Sequence, residues 1–404
     1  MAAKRKPFAQ RHVALIIETS KIYGREILSG ITEYMRLHGP WSIFATERGQ
    51  DDPDPPWLST WSGDGILTRS VNLDLCKAAQ GAGIPVVSLR HLTERPPFPT
   101  VFPNQYTIAI RVAEHLLERG IRNFGYVGVP GNKGWERLRR EEFIRVIHER
   151  GFANIALRSI LAEPNLSWER QQAQIGKWVE SLPKPVGIMV SHDTQGIQLL
   201  DACRRRGVRV PDDVAVVSVD NDPVLCEIAS PPLSSLDQNV RKIGFEAAAL
   251  LDRLMTGQRV DPSNFFFEPG EVVTRQSSDI ISVSDPRLAN AIKFVRQNAC
   301  NGVDVDAVAR AAGMSRRLLE QKFAEVIGRT PLEEIHVSQL RRVKQLLLET
   351  DYPLSQIAEL SGFNYQEYLV RFFKRYTGTT PGKYRLQNRF NNTSSMVPAE
   401  EIKR

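Results

Sequence analysis

The chain has few of the features that would place it outside a reducing compartment. Its four cysteines, Cys76, Cys203, Cys226 and Cys300, include no C-x-x-C pair and no Cys/His cluster at zinc-ligand spacing. A disulfide framework and a structural metal are therefore not expected. Long apolar runs are also missing. The N-terminal stretch begins with basic residues, but its apolar run Val13–Ile17 is cut off by Glu18, too early for a secretory signal. No run approaches the roughly 18 apolar residues of a membrane span, so a cytoplasmic protein with no membrane partner is expected. Catalytic signatures are missing too. There is no G-x-x-x-x-G-K-[ST] loop, no G-x-G-x-x-G after a strand, no H-E-x-x-H and no G-x-S-x-G. The Gly-rich segment G-V-P-G-N-K-G at 128–134 lacks phosphate-loop spacing and reads as a cleft loop. These absences weigh against a sugar kinase or dehydrogenase, and no cofactor or metal is expected.

What is present is a large apolar fraction and an uneven charge. Hydrophobic residues make up 42% of the 404, enough for two or three packed domains. From Asp285 onward lie 19 of the 53 Lys and Arg residues but only 13 of the 46 acidic ones. Most of the net charge of +7 therefore sits in the last third. A basic module on a near-neutral body suits a polyanion partner, though a solvated basic surface would look the same.

Residues 11–275 alternate short β-branched runs (13–17, 83–89, 123–129, 186–191 and 214–220) with stretches of helical spacing such as 105–120. Repeated strand–helix units predict parallel sheets covered by helices. Two long blocks, about 11–105 and 106–235, predict two α/β lobes with a ligand cleft at the carboxyl ends of the strands. The Ser/Asp-rich stretch 276–287 reads as a linker, and 288–385 reads as all-helical. Residues 1–10 and 386–404 read as terminal tails, the latter disordered.

The helical part contains a duplication. V-x-x-V-A-x-x-A-G-M-S at Val305–Ser315 matches L-x-x-I-A-x-x-S-G-F-N at Leu354–Asn364 with an offset of 49. After one inserted residue the offset becomes 50, so Leu319 matches Leu369 and Phe323 matches Phe373. Each copy has the chemistry of a helix-turn-helix. A short helix turns Val308-Ala309 or Ile357-Ala358 inward, Gly313 or Gly362 allows the tight turn, and Ser315 or Asn364 can cap the next helix. That helix buries its i, i+4 apolar pair and leaves Arg316, Arg317, Glu320 and Gln321, or Gln366, Glu367, Val370 and Arg371, on the opposite face. Arg can read guanine, Gln adenine, Glu cytosine, and Val the thymine methyl. Lys374, Arg375, Lys383 and Arg385 suit phosphates. The alternative is an ordinary helical bundle with a solvated polar face, and the second matching copy counts against it.

At Ile357–Arg385 (I-A-E-L-S-G-F-N-Y-Q-E-Y-L-V-R-F-F-K-R-Y-T-G-T-T-P-G-K-Y-R) the sequence resembles the AraC family of regulators, with Leu369 where the family usually has Phe. The preceding block resembles the LacI-type or periplasmic sugar-binding fold. The likeness to a regulator joining the two covers most of the chain, in K-I-Y-G-R at 21–25, W-E-R-L-R at 135–139, V-D-N at 219–221, L-S-S-L at 233–236 and D-P-R-L-A-N-A-I at 285–292. The resemblance implies a two-lobed type I periplasmic-binding-protein-like sensor followed by an all-α domain with two helix-turn-helix units. It also implies a homodimer on double-stranded DNA, more often an activator in contact with RNA polymerase, controlled by a neutral sugar such as xylose or another pentose.

Asp193 and the pair Asp220-Asn221 follow predicted strands and are expected to face the cleft. By the same resemblance Arg139 holds the place of a cleft arginine, Tyr23 and Arg25 border the cleft, and Asn104 lies at the crossing between lobes. Each has a plainer reading: helix caps for the two Asp, surface ion pairs for the two Arg, packing for Tyr23. Related sugar sensors are expected to carry carboxylates at the position of Gly24 and near Asn104, so hydroxyl recognition is expected to differ here. A sugar-binding transport component and a sugar-modifying enzyme are the competing functions.

Overall fold

The computed structural model describes residues 10–49, 52–70, 74–91, 93, 95–129, 134–153, 155–159, 167–279, 285–350, 352–390 and 397–398. Residues 1–9 of the predicted tail, 130–133 of the Gly-rich loop and 280–284 of the predicted linker lie outside them. The chain forms two compact units, one running to Ile280 with the last residues Ser395–Arg404, the other Ile281–Ser394.

The first unit is α/β. Its strands are β1 (His12–Ile16), β2 (Ser42–Ala45), β3 (Gly65–Thr68), β4 (Val86–Ser88), β5 (Thr100–Pro103), β6 (Asn123–Gly128), β7 (Ile155–Ser159), β8 (Val186–Val190), β9 (Val214–Val219), β10 (Ser234–Leu236), β11 (Asn264–Phe267), β12 (Val272–Val273) and β13 (Val397–Pro398). They form two sheets, ordered β13-β11-β5-β4-β3-β1-β2 and β12-β10-β9-β8-β6-β7. All pairings are parallel except β12 on β10 and β13 on β11. The helices are α1 (Ile22–His38), α2 (Asp74–Gly81), α3 (Gln105–Leu117), α4 (Gly134–Glu149), α5 (Trp168–Ser181), α6 (Asp193–Arg205), α7 (Pro223–Ile228) and α8 (Val240–Met255). Alternation along β1 shows why both faces are covered. Val13, Leu15 and Ile17 join the core under α1 and α8, while Ala14 and Ile16 join the core on the other face. The second sheet is likewise enclosed by two cores, one holding α3 and α4 residues and one holding α5 and α6 residues.

The two predicted lobes are present, but the division at about residue 105 is incomplete. The chain crosses between lobes at Pro103–Gln105, returns at Leu236–Val240 and crosses again at Phe267–Val272. Thus α8 and β11 complete the first lobe. The apolar stripe of α8 marks a buried helix but carries no signal for which sheet it covers.

In the second unit follow α9 (Pro286–Asn298), α10 (Val305–Ala312), α11 (Arg316–Ile327), α12 (Pro331–Glu349), α13 (Leu354–Leu360), α14 (Gln366–Thr377) and α15 (Pro381–Phe390). α15 thus carries helix past Arg385, into the stretch read as a disordered tail. Two cores lie side by side, one around Val308, Leu319 and Phe323, the other around Ile357, Leu369 and Phe373. The long α12 gives Ile335 to the first core and Val343, Leu346 and Leu347 to the second.

α1 and α8 meet backbone to backbone. A Cβ at Gly30 would sit 1.9 Å from the Arg241 carbonyl oxygen, and one at Gly244 would sit 2.2 Å from that of Ile27. Gly30→Ala and Gly244→Ala should each lower the stability of the first unit by about 1–3 kcal/mol, since the helices must separate. Thermal unfolding checks this. Gly81→Ala, with no neighbour within 4 Å, should leave the midpoint unchanged or slightly raised.

Candidate functional site

The loops at the carboxyl ends of both sheets face one another across a cleft. From the first lobe come Glu18 and Lys21 after β1, Tyr23 in the first turn of α1, Arg69 after β3, Arg90 after β4, and Phe102 of β5. From the second lobe come Trp135 and Arg139 of α4, His192 after β8 and Asp220 after β9. Gln238, in the second crossover, completes the lining. About 50 Å³ of the cleft is open.

Arg139 is the hub. Its side chain is 3% exposed, yet every hydrogen-bond partner is neutral. It donates to Gln105 Oε1 at 2.8 Å, to the Ser191 carbonyl at 2.5 Å and to Gln238 Oε1 at 2.8 Å. Gln238 in turn donates to Asp220 Oδ1. Gln105 opens α3 at the first crossover and Gln238 lies in the second, so one guanidinium ties both crossovers to the floor of the cleft. Asp220 sits at φ +118°, a backbone region costly for a non-glycine residue. Burial, with Asp193 adding to it, pushes the Asp220 carboxyl up to about 7. Tyr23 is pushed up to about 12 by burial, and the Arg69 guanidinium lies 4.0 Å from its ring centroid.

Of the expected ligand residues, the structure brings Tyr23, Arg139 and Asp220 into this cleft and leaves four out of its lining. Asp193 turns inward. It accepts from the Ser218 hydroxyl, from Ser235 Oγ at 2.6 Å and from the Asp222 amide at 2.7 Å. It therefore fixes the loops after β8 and β9 from beneath, and burial raises its pKa. Asn221 also points away, its Oδ1 accepting from Arg275 at 3.0 Å. Arg25 is exposed and donates to the Thr19 carbonyl at 3.0 Å. Asn104 caps α3, accepting from the amides of Tyr106 and Thr107. It donates to Glu268 at 3.0 Å, which makes it a strut between the first and third crossovers.

Some of the cleft residues the sequence reading missed share one signal. Arg69, Arg90 and His192 follow strands directly, as Asp220 does, while Gln238 needs the second crossover to be known. Gly24 also has a physical cause. A Cβ there would lie 1.8 Å from the Glu18 carbonyl oxygen and 3.1 Å from the Glu18 carboxyl carbon. Glu18 occupies the space a side chain at 24 would need.

In the second unit both helix-turn-helix copies close on glycine. Gly313 takes φ +61° and Gly362 φ +78°, and a Cβ on Gly362 would also meet the Cys300 carbonyl oxygen at 2.8 Å. Ser315 caps α11, accepting from the Leu318 amide at 3.3 Å. Asn364 does not cap α14: the N-cap is Tyr365, the inserted residue, with no side-chain cap bond. The insertion is absorbed in the turn, and Arg316 and Gln366 both become first helical residues.

On α11, Arg316, Arg317, Glu320 and Gln321 are exposed. On α14, Gln366, Glu367, Arg371 and Lys374 are exposed and Val370 is half-buried. Arg316 is tied to Glu320 at 3.0 Å and to Asp306 at 3.2 Å, and Gln321 donates to Glu325 at 2.8 Å. Arg317, Arg371 and Lys374 make no side-chain hydrogen bond or ion pair among the described residues. Of the other candidate phosphate contacts, Arg375 and Lys383 lie on α14 and α15, while Arg385 donates to the carbonyls of Leu347 and Tyr352.

Residues 12–104 match the XylR N-terminal domain, 113–278 the Periplasmic binding protein-like domain and 308–387 the Helix-turn-helix domain families. The chain is 28% identical over 386 residues to the Xylose operon regulatory protein of Escherichia coli K12, covering 94% of this chain and 98% of that protein. It superposes with a TM-score of 0.62, at 28% identity, on the structure of a xylose-binding transcription activator, covering 93% and 98% of the two chains. A LacI-type regulator from Alkaliphilus metalliredigens, complexed with D-xylulofuranose, shares the fold alone, with a TM-score of 0.52 at 19% identity over 67% of this chain and 99% of that one. The resemblance to AraC-type regulators carrying a LacI-like sensor therefore runs through almost the whole chain. No helix among the described residues is long and apolar enough to cross a membrane.

The Asp220 shift has a testable sign. Below about pH 4 the carboxyl is neutral in both folded and unfolded chains. Between about 4 and 7 the unfolded chain ionises first, so the first unit loses stability as pH rises. Asp220→Asn removes that loss. Its thermal midpoint should equal wild type near pH 4 and exceed it increasingly up to pH 8; a difference independent of pH would contradict the assignment.

Proposed function

We propose that this chain, built like the xylose operon regulatory proteins it resembles, is a sequence-specific DNA-binding transcriptional regulator controlled by a small sugar held in the interlobe cleft. The observation that carries the reading is the pairing of two units in one chain. One holds a polar, aromatic-lined cleft hinged by three crossovers, and the other presents two exposed helix faces on matched helix-turn-helix frames. The relatives at comparable length are named as regulators of a xylose operon, which favours a pentose and sugar-catabolic target genes. We read the protein as cytoplasmic and non-catalytic, working as a homodimer on paired half-sites of double-stranded DNA and activating by contact with RNA polymerase. The sugar acts by preferring one arrangement of the lobes, since equal affinity for both would shift nothing.

The test is binding of the full chain to DNA from its own control region, followed by fluorescence anisotropy with and without sugars. A sugar that changes specific affinity at fixed salt supports the reading. DNA binding indifferent to every sugar contradicts the sensor half, and no specific DNA binding contradicts the regulator half. Arg317→Ala and Arg371→Ala should each weaken specific binding by about 1–3 kcal/mol while sparing random DNA. Equal weakening on random DNA would make them phosphate contacts. Arg316→Ala should cost less, because Arg316 must first leave Asp306 and Glu320.

A further inference from the structure

One buried arginine ties the cleft loop to the end of the first unit. Arg275 follows β12 and opens the stretch 275–279, after which the chain passes through 280–284 into the second unit. Its guanidinium reaches away from its own strand. Nη1 donates to Asn221 Oδ1 at 3.0 Å and to the Leu233 carbonyl at 3.1 Å, and Nε donates to Glu227 at 2.8 Å. Asn221 is the neighbour of Asp220 in the loop after β9, and Glu227 lies on α7, which that loop opens. A single side chain therefore joins the loop that presents Asp220 to the cleft with the stretch that leads out of the unit.

Both ends of this link are held in defined positions. Asp220 takes φ +118° and Asn221 φ +53°, conformations that persist where surrounding contacts impose them. The Asn221 amide donates to Ser235 Oγ at 2.9 Å, and Ser235 donates to Asp193 at 2.6 Å. At the other end, the 3-10 turn Gln276–Ser278 is seated through buried serines. The Arg275 amide donates to Ser234 Oγ at 2.7 Å, Ser277 Oγ to the Val216 carbonyl at 2.7 Å and Ser278 Oγ to Ser234 Oγ at 2.8 Å. β9 and β10 give this turn a rigid seat. The guanidinium contact to the loop is the part of the seat that a ligand on Asp220 can alter, because Asp220 and Asn221 share a peptide bond.

We propose, resting on the sensor reading above, that Arg275 is the positioning residue that links the cleft to the second unit. The Asn221–Arg275 hydrogen bond reports the setting of the Asp220 loop to the stretch 275–279. A sugar that resets the loop thereby resets the start of the connection to the helix-turn-helix unit. Asn221 is then a relay that touches no sugar, which accounts for an asparagine beside the cleft whose side chain points out of it.

The test is fluorescence anisotropy of the full chain on DNA from its own control region, with and without saturating sugar. The sugar is whichever of D-xylose, L-arabinose, D-ribose and D-glucose binds the wild type most tightly by calorimetry. Asn221→Gly suits the left-handed φ and removes the acceptor for Arg275. Asn221→Asp keeps that acceptor and also tolerates the backbone conformation. Coupling between sites commonly amounts to about fivefold or more in affinity. Asn221→Gly should bring the sugar-induced change in DNA affinity below about twofold, with sugar affinity and sugar-free DNA affinity each within about twofold of wild type. Asn221→Asp should retain the full change. Amides in 275–279 should alter their hydrogen exchange with sugar in the wild type and in Asn221→Asp, and not in Asn221→Gly. A full sugar response in Asn221→Gly overturns this inference, as does its loss in both variants, and either leaves the sugar sensor standing. Loss of sugar binding in Asn221→Gly also overturns it, since Asn221 then belongs to the site itself. Wild-type DNA binding that no sugar changes overturns the sensor reading as well.

Discussion

The cleft of the first unit depends on one buried guanidinium. Arg139 reaches from α4 to Gln105 at the first crossover, to Gln238 in the second and to the Ser191 carbonyl after β8. Three hydrogen bonds donated from a fixed planar fork restrict the relative placement of all three. Its three hydrogen-bond acceptors are neutral, and its charge lowers the cost of the Asp220 carboxylate beside it. Asp220 is linked to it through Gln238 rather than directly. The cleft lining and two of the crossovers thus share one hydrogen-bond chain.

Much of this was legible in the sequence. Apolar β-branched runs located β1, β4, β6, β8 and β9, because strands buried on both faces read as continuous hydrophobic segments. Shorter strands such as β2 and β10 gave too little pattern. The rule that ligands bind at the carboxyl ends of strands located Asp220, and the same rule applied to β3 and β4 leads to Arg69 and Arg90. It failed for Asp193 and Asn221, since position after a strand says nothing about side-chain direction. Asp193 follows β8 but points down into Ser218 and Ser235, where it braces the loop that presents Asp220. Asn104 was placed correctly at a crossing, yet it acts there as a strut to Glu268 rather than as a lining residue.

In the helical unit the duplication was legible because each copy needs the same few things: a small residue for close packing, a left-handed turn and an i, i+4 apolar pair. The turn insertion was visible as a change of offset, but its effect on the cap was not. Tyr365 takes the N-cap position and Asn364 is left before it. The two reading faces also differ in readiness. α11 has its first arginine committed to Asp306 and Glu320, whereas Arg371 and Lys374 on α14 are unengaged among the described residues. The exposed face of the second copy is therefore the less committed to contacts within the chain.

Hydrogen–deuterium exchange of the full chain, with and without the sugar that binds it, tests the central claim most directly. If the ligand seats on Arg139 and acts through Gln105 and Gln238, amides in the crossovers 104–107 and 236–240 should exchange more slowly when it is bound, together with the first turn of α1 and the loop carrying Asp220. Saturating ligand that protects a different surface and leaves both crossovers unchanged would contradict the account.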